Sequence, residues 1–515
     1  MTSQLRVLAM ELGATDVGKL VIQRLRDLIP DIWIAGVEKR ADYEQSEFDL
    51  VITNQHDAFF GRYESVNMPS LAMTPELSIL MAPYEAKLLN AAGLAGIRDP
   101  HDYPQSIHGV PAYSDSYDSR KDLLYRHIRF WDHVLTKHQI QAVFHENLGQ
   151  EVFDYVALQI ARARGLPTLT FNISGQFPLA LFVQESEHEL GALRLGYELK
   201  QRIRDRLVPE RPDFITSAVT KFTSTPNSGL AARQDSYVTA PLRSWLVNRS
   251  IHADGRGIRS IVKSVGGKLI RFAKAPRSRY KRFSRTRGLV RDTQRSFREE
   301  AKYSRGGVVP DPYIYFPLHF QPETSSSVKG RHFYVLREAV AFVASELPDG
   351  WKLVVKEHPH QFRRLLRRPE GFYSQLAAIP NVYLAHHTAN NNELVQRAKA
   401  VVSVSHSSIT SYALFRGKPV ISLGDSHFRE ASGYHCISST DGLRQVMTAI
   451  AAGWDETRTP LDSDFLHRLS QSTFEGEFGE KPDSLTTNEW NRLRDVTGMN
   501  IGSAIAEWLK LKQLA

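Results

Sequence analysis

Trp351 to Phe362 reads WKLVVKEHPHQF, and this stretch narrows the fold more than any other. A short apolar run with β-branched residues, set between Pro-Asp-Gly and a proline, fits an interior strand of a parallel sheet, where helices cover both faces. The run stops abruptly on Lys356, Glu357, His358, Pro359 and His360. Ligands of open α/β sheets bind outside the carboxyl ends of the strands, so Lys356, His358 and His360 are candidates for a site.

The same pattern recurs on both sides of this strand. YIYFPLHFQPE places His319, Gln321 and Glu323 after a strand, NVYLAHHT ends another on histidines, and AVVSVSHSSITSYALFRGKPVISLG reads strand, serine-rich turn, helix and strand. Ser405, Ser407 and Ser408 fall where that helix begins. There the first backbone N–H groups lack partners and the helix dipole favours an anion such as phosphate. His358 and His360 flank a proline beside Glu357, but consecutive residues at a strand end point in different directions and no further ligand lies nearby, so no metal is expected.

The first part of the chain alternates in the same way. LRVLAME, IWIAGV, FDLVIT, IQAVFHE and PTLTF read as strands, DVGKLVIQRLRDLI as a helix, and Val152, Tyr155, Val156, Gln159 and Ile160 share one helical face. Two such βαβ series imply parallel strands with helices on both faces. At 515 residues the chain exceeds one ordinary core. We expect an N-terminal domain over 1–205, a basic helical linker or insert over 206–305, a second domain over 306–470 and a C-terminal helical segment over 471–515. The N-terminal domain offers Glu146 at a strand end, beside His145 and ahead of Glu151 and Asp154, as the candidate general base. The loop Glu11 to Asp16, after the first strand, is a weaker candidate for meeting an acceptor.

The net charge of +9 is concentrated. Arg256 to Arg305 holds 17 Lys and Arg against three acids, which leaves the rest of the chain slightly acidic. A nucleic-acid role is not expected, because no reading module accompanies the run and its aromatics Phe272, Tyr280 and Phe283 are few. A single cysteine, Cys436, fits a reducing compartment, and the N-terminus lacks a long apolar stretch, so the expected location is cytoplasmic.

The order YFPLHFQPE, WKLVVKEHP, NVYLAHHT and AVVSVSHSSITSYALFRGKPVISLG resembles bacterial capsule and surface-polysaccharide biosynthesis proteins of the GT-B type, the group that includes capsule Kdo transferases. The resemblance covers about 130 residues of the second domain, and extends weakly to VFHENLGQEVFDYVALQIARARGLPTL in the first. It implies an α/β fold of two Rossmann-like doubly wound domains facing a cleft. It also implies a glycosyltransferase that moves a sugar from a nucleotide-sugar donor to a glycan or lipid-linked acceptor, without a cofactor or a required metal. Lys356 and His358, with Pro359, would face the donor phosphate. His319, Gln321, Glu323, Ser405, Ser407 and Ser408 would line the donor site, and Glu146 would take the acceptor proton.

The chain departs from the family where a loop Gly-Thr and a glutamate one turn into the next helix are usual. Ser407-Ser408 and Tyr412 stand there instead. Tyr412 is therefore expected to pack beside the nucleoside in place of a ribose-binding acid. A glycerophosphate or other phospho-alditol transferase, or a non-catalytic scaffold of the polysaccharide machinery, shares the same pattern.

A basic run beside a membrane-anchored acceptor predicts peripheral attachment to anionic lipid, since each Lys or Arg near such a surface contributes about 1 kcal/mol. The protein should sediment with anionic liposomes at low salt and be released at high salt. It should stay in the supernatant once Arg271, Lys274, Arg277, Arg279, Lys281, Arg282, Arg285 and Arg287 are neutralised together; binding indifferent to salt and lipid charge would contradict this.

Overall fold

The computed structural model describes residues 4–10, 12, 15–37, 48–52, 117–146, 152–174, 177–185, 192–217, 294–321, 326, 329–363, 368–424, 426–453, 463–478, 481 and 485–515. Apolar runs become strands and the amphipathic stretches between them become helices. In the first half these are β1 (Arg6–Met10), α1 (Asp16–Leu28), β2 (Trp33–Val37), β3 (Leu50–Ile52), α2 (Tyr117–Lys137), β4 (Ala142–His145), α3 (Val152–Ala163), β5 (Thr168–Ser174), β6 (Phe177–Gln184) and α4 (Ala192–Arg202). The second half begins with helix α5 (294–303). It continues with β7 (Tyr313–Pro317), α6 (Leu336–Ala344), β8 (Lys352–Lys356), α7 (Pro359–Arg363), α8 (Phe372–Ala378), β9 (Val382–Ala385) and α9 (Asn391–Arg397). β10 (Ala400–Ser403), α10 (Ser408–Phe415), β11 (Val420–Ser422), β12 (Tyr434–Cys436), α11 (Thr440–Ala451) and α12 (Ser463–Ser472) complete it. The chain then returns to the first half through β13 (Phe474–Glu475) and α13 (Thr487–Leu511).

The sheets run β13-β6-β5-β4-β1-β2-β3 and β12-β11-β10-β7-β8-β9. Six strands of each therefore share one order, in which the chain reverses direction of travel between the first and fourth strands. In a doubly wound sheet that reversal opens a crevice at the strand carboxyl ends. It lies between β1 and β4 in one half and between β7 and β10 in the other. The second sheet is parallel throughout. The first is parallel only to β5, because β6 folds back antiparallel on β5 and β13 pairs antiparallel with β6. The all-parallel pattern expected from the sequence is corrected there, since β5 and β6 are separated by only Gly175 and Gln176 and so small a gap has no room for a crossover helix.

The strand interiors are dry on both faces. Leu353 and Val355 of β8 face one cluster with Leu336, Val340 and Tyr373, while Val354 faces another with Tyr313, Tyr315 and Tyr412. In the first half the predicted face of α3 is buried at Tyr155, Val156, Gln159 and Ile160.

The C-terminal segment is part of the first domain. α13 lies on α1, and Gly498 and Gly502 permit the close approach: a Cβ at either position would stand 2.5 Å from Leu20 Cβ or 2.7 Å from Arg24 Cβ. Buried Glu475 of β13 fastens the return. Its carboxylate accepts from the Arg211 main-chain N–H at 2.7 Å and from Arg492 Nη2 at 2.9 Å. Burial alone would raise the pKa of Glu475, but these arginine bonds outweigh it and hold the group below its usual range. The two halves also share one apolar cluster, in which Phe177 and Phe182 of β6 pack with Phe428, Tyr434 and Phe465.

Most of the basic run, residues 256–293, lies outside the described residues. Its end, 294–305, belongs to the second domain: Arg305 N–H donates to Leu384 O at 2.8 Å and accepts from His386 N–H at 3.2 Å through its own carbonyl. Among the described residues no helix is long and apolar enough to cross a membrane.

Candidate functional site

The carboxyl ends of β7, β8 and β10 lie side by side, in the order β10-β7-β8. One buried ion pair organises them. Glu357, the residue after β8, is fully buried and receives Arg368 Nε at 2.9 Å and Nη2 at 2.8 Å as a two-pronged bond, with the Tyr373 hydroxyl donating at 2.7 Å. The same guanidinium reaches across to the end of β7, where Nη2 donates to His319 O and Nη1 to Gln321 Oε1, both at 2.7 Å. Gln321 donates its amide to Tyr334 O at 2.7 Å and exchanges main-chain bonds with the Gln361 side chain. Glu357 and Arg368 thus neutralise each other and fix the loops after β7 and β8.

His319 is a strut between strands. Its Nε2 lies 2.6 Å from Ser403 Oγ, and the ring also bonds the main chain of Ser405, so it spans from β7 to β10. Burial and the neighbouring Arg368 push its pKa down to about 4, so the ring is neutral at physiological pH.

Lys356 differs from these groups. It ends β8 with 1% of its surface exposed, its carbonyl accepts from Leu318 N–H at 2.9 Å, and its ammonium is drawn to Glu357 and Glu300 through space without a salt bridge to either. Burial lowers its pKa to about 8, against the pull of Glu357 and Glu300. A buried ammonium without a partner is costly, and an anion brought to the strand end would supply one.

The helix beginning after β10 offers a second anion contact. Ser407 is the N-cap of α10: its Oγ accepts from Thr410 N–H at 3.2 Å while Thr410 Oγ1 accepts from Ser407 N–H at 2.8 Å. Ser407 is thereby occupied as a cap. The N–H groups of exposed Ser408 and of Ile409, next in line, bond no described residue. They are the groups a helix start presents to an anion. Ser405 is buried beneath them.

His358 is half-buried and is the residue before Pro359, which opens α7 at the position where a missing N–H costs nothing. Its ring lies 5.8 Å from that of Phe320. The side chain of His360, and Glu323, lie outside the described residues.

Tyr412 stands elsewhere than expected. One turn into α10, it points into the apolar cluster with 2% exposure, and the Arg416 guanidinium lies 4.6 Å from its ring centre. The structure places it as a core residue, not on the ledge beside Lys356 and Ser408.

In the first domain, Glu146 follows β4 and its N–H donates to Met10 O at 3.3 Å, so it sits at the switch between β1 and β4. It is half-buried. His145, fully buried, faces Asp154 with Nε2 to Oδ2 at 3.7 Å. Glu11 and Glu151 lie outside the described residues.

Residues 332–446, which carry β8 to β12, match the capsule polysaccharide biosynthesis protein family. The match covers the core of the second domain and less than half of the chain. Three solved structures are similar to the chain at low identity. UDP-GlcNAc 2-epimerase of Methanocaldococcus jannaschii, solved with UDP-GlcNAc and UDP, is 11% identical over 91% of this chain and 98% of its own, at TM-score 0.27. KpsC of Thermosulfurimonas dismutans, a beta Kdo 2,7 transferase, is 10% identical over 67% and 80%, at TM-score 0.27. A glycosyltransferase of Rickettsia africae is 9% identical over 99% of each chain, at TM-score 0.23. Likenesses this low carry no weight on activity. No curated protein matches the chain in sequence.

Lys356 gives a direct test of the ledge. Its folded pKa of about 8, against 10.5 ordinarily, means that the ligand-free fold binds fewer protons here than the unfolded chain. The resulting penalty, about 3 kcal/mol, is fully present below pH 8 and fades as pH rises toward 10.5. Lys356→Met should therefore be more stable than the wild type in urea melts at pH 7, with the gap closing by pH 10. A variant less stable at pH 7 would show that the ammonium is already satisfied.

Proposed function

We propose that this chain is a cytoplasmic GT-B glycosyltransferase of surface-polysaccharide assembly. The second domain holds the phosphate of a nucleotide-sugar donor between Lys356, His358 and the open N–H groups of Ser408 and Ile409. The first domain brings a glycan or lipid-linked acceptor to Glu146. The observation that carries this reading is Lys356, a buried ammonium without a bonded partner at a strand end inside the segment that matches the capsule family.

Transfer breaks the bond between the sugar's anomeric carbon and the phosphate oxygen, and forms one to the acceptor oxygen. Negative charge builds on the leaving phosphate as this happens. A fixed ammonium and helix N–H groups in a water-poor site stabilise that charge without reorganisation, and this reading requires no metal. The acceptor hydroxyl must lose its proton, and the Glu146 carboxylate takes it. The buried Glu357–Arg368 pair holds the ledge in register but contributes no net charge to the donor.

Binding of CMP-, UDP- and CDP-linked sugars by calorimetry, followed by transfer to lipid-linked acceptors, tests the reading. One donor class should bind, and its affinity should fall as pH rises through about 8, where Lys356 loses its proton. Lys356→Met should lose about 2 to 4 kcal/mol of transition-state stabilisation. Failure of every donor to bind, or equal turnover by the variant, would overturn it.

A further inference from the structure

A second cluster gathers at the end of β9, apart from the groups assigned above. The chain turns there on His386 and His387, and α5 delivers Glu300 to them. Glu300 is fully buried. Its Oε1 accepts from the His387 main-chain N–H at 2.9 Å, and its Oε2 lies 2.8 Å from His387 Nδ1. The two imidazoles face each other with centres 4.2 Å apart. Each of the three residues offers a ligand atom within 4.8 Å of the other two, and among the described residues this is the one such group of His, Cys, Asp and Glu.

We infer that Glu300, His386 and His387 form a binding site for a divalent transition-metal ion of the zinc type. Two imidazoles and one carboxylate suit zinc at near-tetrahedral geometry, and three protein ligands leave one position to water or an anion oxygen. The hydrogen bonds that orient the rings are in place. His386 Nδ1 lies 2.7 Å from Thr388 Oγ1 and 3.4 Å from the Thr388 main-chain N–H, and these contacts hold the ring in place. His387 Nδ1 faces Glu300 Oε2 at 2.8 Å, and an ion held by both would take the place of the proton in that contact.

Lys356 is the unfavourable neighbour. Its strand partner Ala385 immediately precedes His386, and its charge acts on that ring. A cation at the cluster meets its repulsion, and removing that charge should strengthen metal binding. The inference does not rest on the donor reading, because ion binding is read directly whether or not a sugar donor binds.

Calorimetry of the chelator-stripped full chain with Zn2+, with Co2+ absorption as a reporter of coordination, tests the inference. One equivalent should bind at micromolar or tighter affinity, with Co2+ ligand-field bands that Zn2+ displaces. His386→Ala, which loses the Thr388 contacts and the packing on the His387 ring, should keep its circular dichroism yet bind at least about tenfold more weakly, whereas Lys356→Met should bind more tightly. Absence of saturable binding in the wild type, or equal affinity in His386→Ala, would overturn the inference.

Discussion

The Glu357–Arg368 pair is the constraint on which the second domain's ledge depends. A carboxylate with no exposure at the end of a buried strand must be matched, and Arg368 matches it while also clamping His319 O and Gln321 Oε1. That one guanidinium fixes the loops after β7 and β8 together. Because the Glu357 carboxylate is taken up by Arg368, the adjacent Lys356 forms no salt bridge with it and feels it, like Glu300, only through space. Two neighbouring residues of one strand end thus have opposite fates. Glu357 is satisfied within the fold, whereas under the proposed function Lys356 meets the donor phosphate.

A similar economy joins the two halves. Glu475 sits on a two-residue strand that alone would be marginal, yet it gathers Arg211 and Arg492, and Glu210 accepts its main-chain N–H at 2.9 Å. Glu210 in turn holds Lys200 Nζ at 2.6 Å. The helix that follows lies against α1 through Gly498 and Gly502. The chain therefore crosses back and is anchored at buried charged groups as well as by apolar packing, which places the second domain's last helix, α12, between two fixed points.

Much of this was legible in the sequence. Strands such as LVV of β8 and AVV of β10 announce themselves because β-branched residues buried on both faces cannot alternate with polar ones, and their polar tips mark where cover ends. Of the candidates at those tips, His319, Lys356 and Ser405 stand at the ends of the neighbouring strands β7, β8 and β10. Their separate duties were not legible, because a histidine bonded to Ser403 and a histidine just ahead of a helix look alike in one dimension. Arg368 lay hidden in the run RRLLRRPEG, where nothing singles out the arginine that turns inward, and Glu300 lay hidden among the charges that close the basic segment. Tyr412 was misplaced because its position was taken from a resemblance in which a glutamate stands at that turn. A tyrosine on the same helix face gains more by entering the apolar cluster. β6 was missed because a strand that folds back without a crossover departs from the βαβ rhythm, and β13 because two residues carry no period.

The central claim is that the strand ends around Lys356 hold phosphate. A crystal structure with the nucleotide that binds in solution tests it most directly. The account predicts a phosphate oxygen within hydrogen-bond distance of Lys356 Nζ, with the N–H groups of Ser408 and Ile409 turned to the same group. A nucleotide seated elsewhere, with Lys356 still unbonded beside it, would contradict the account.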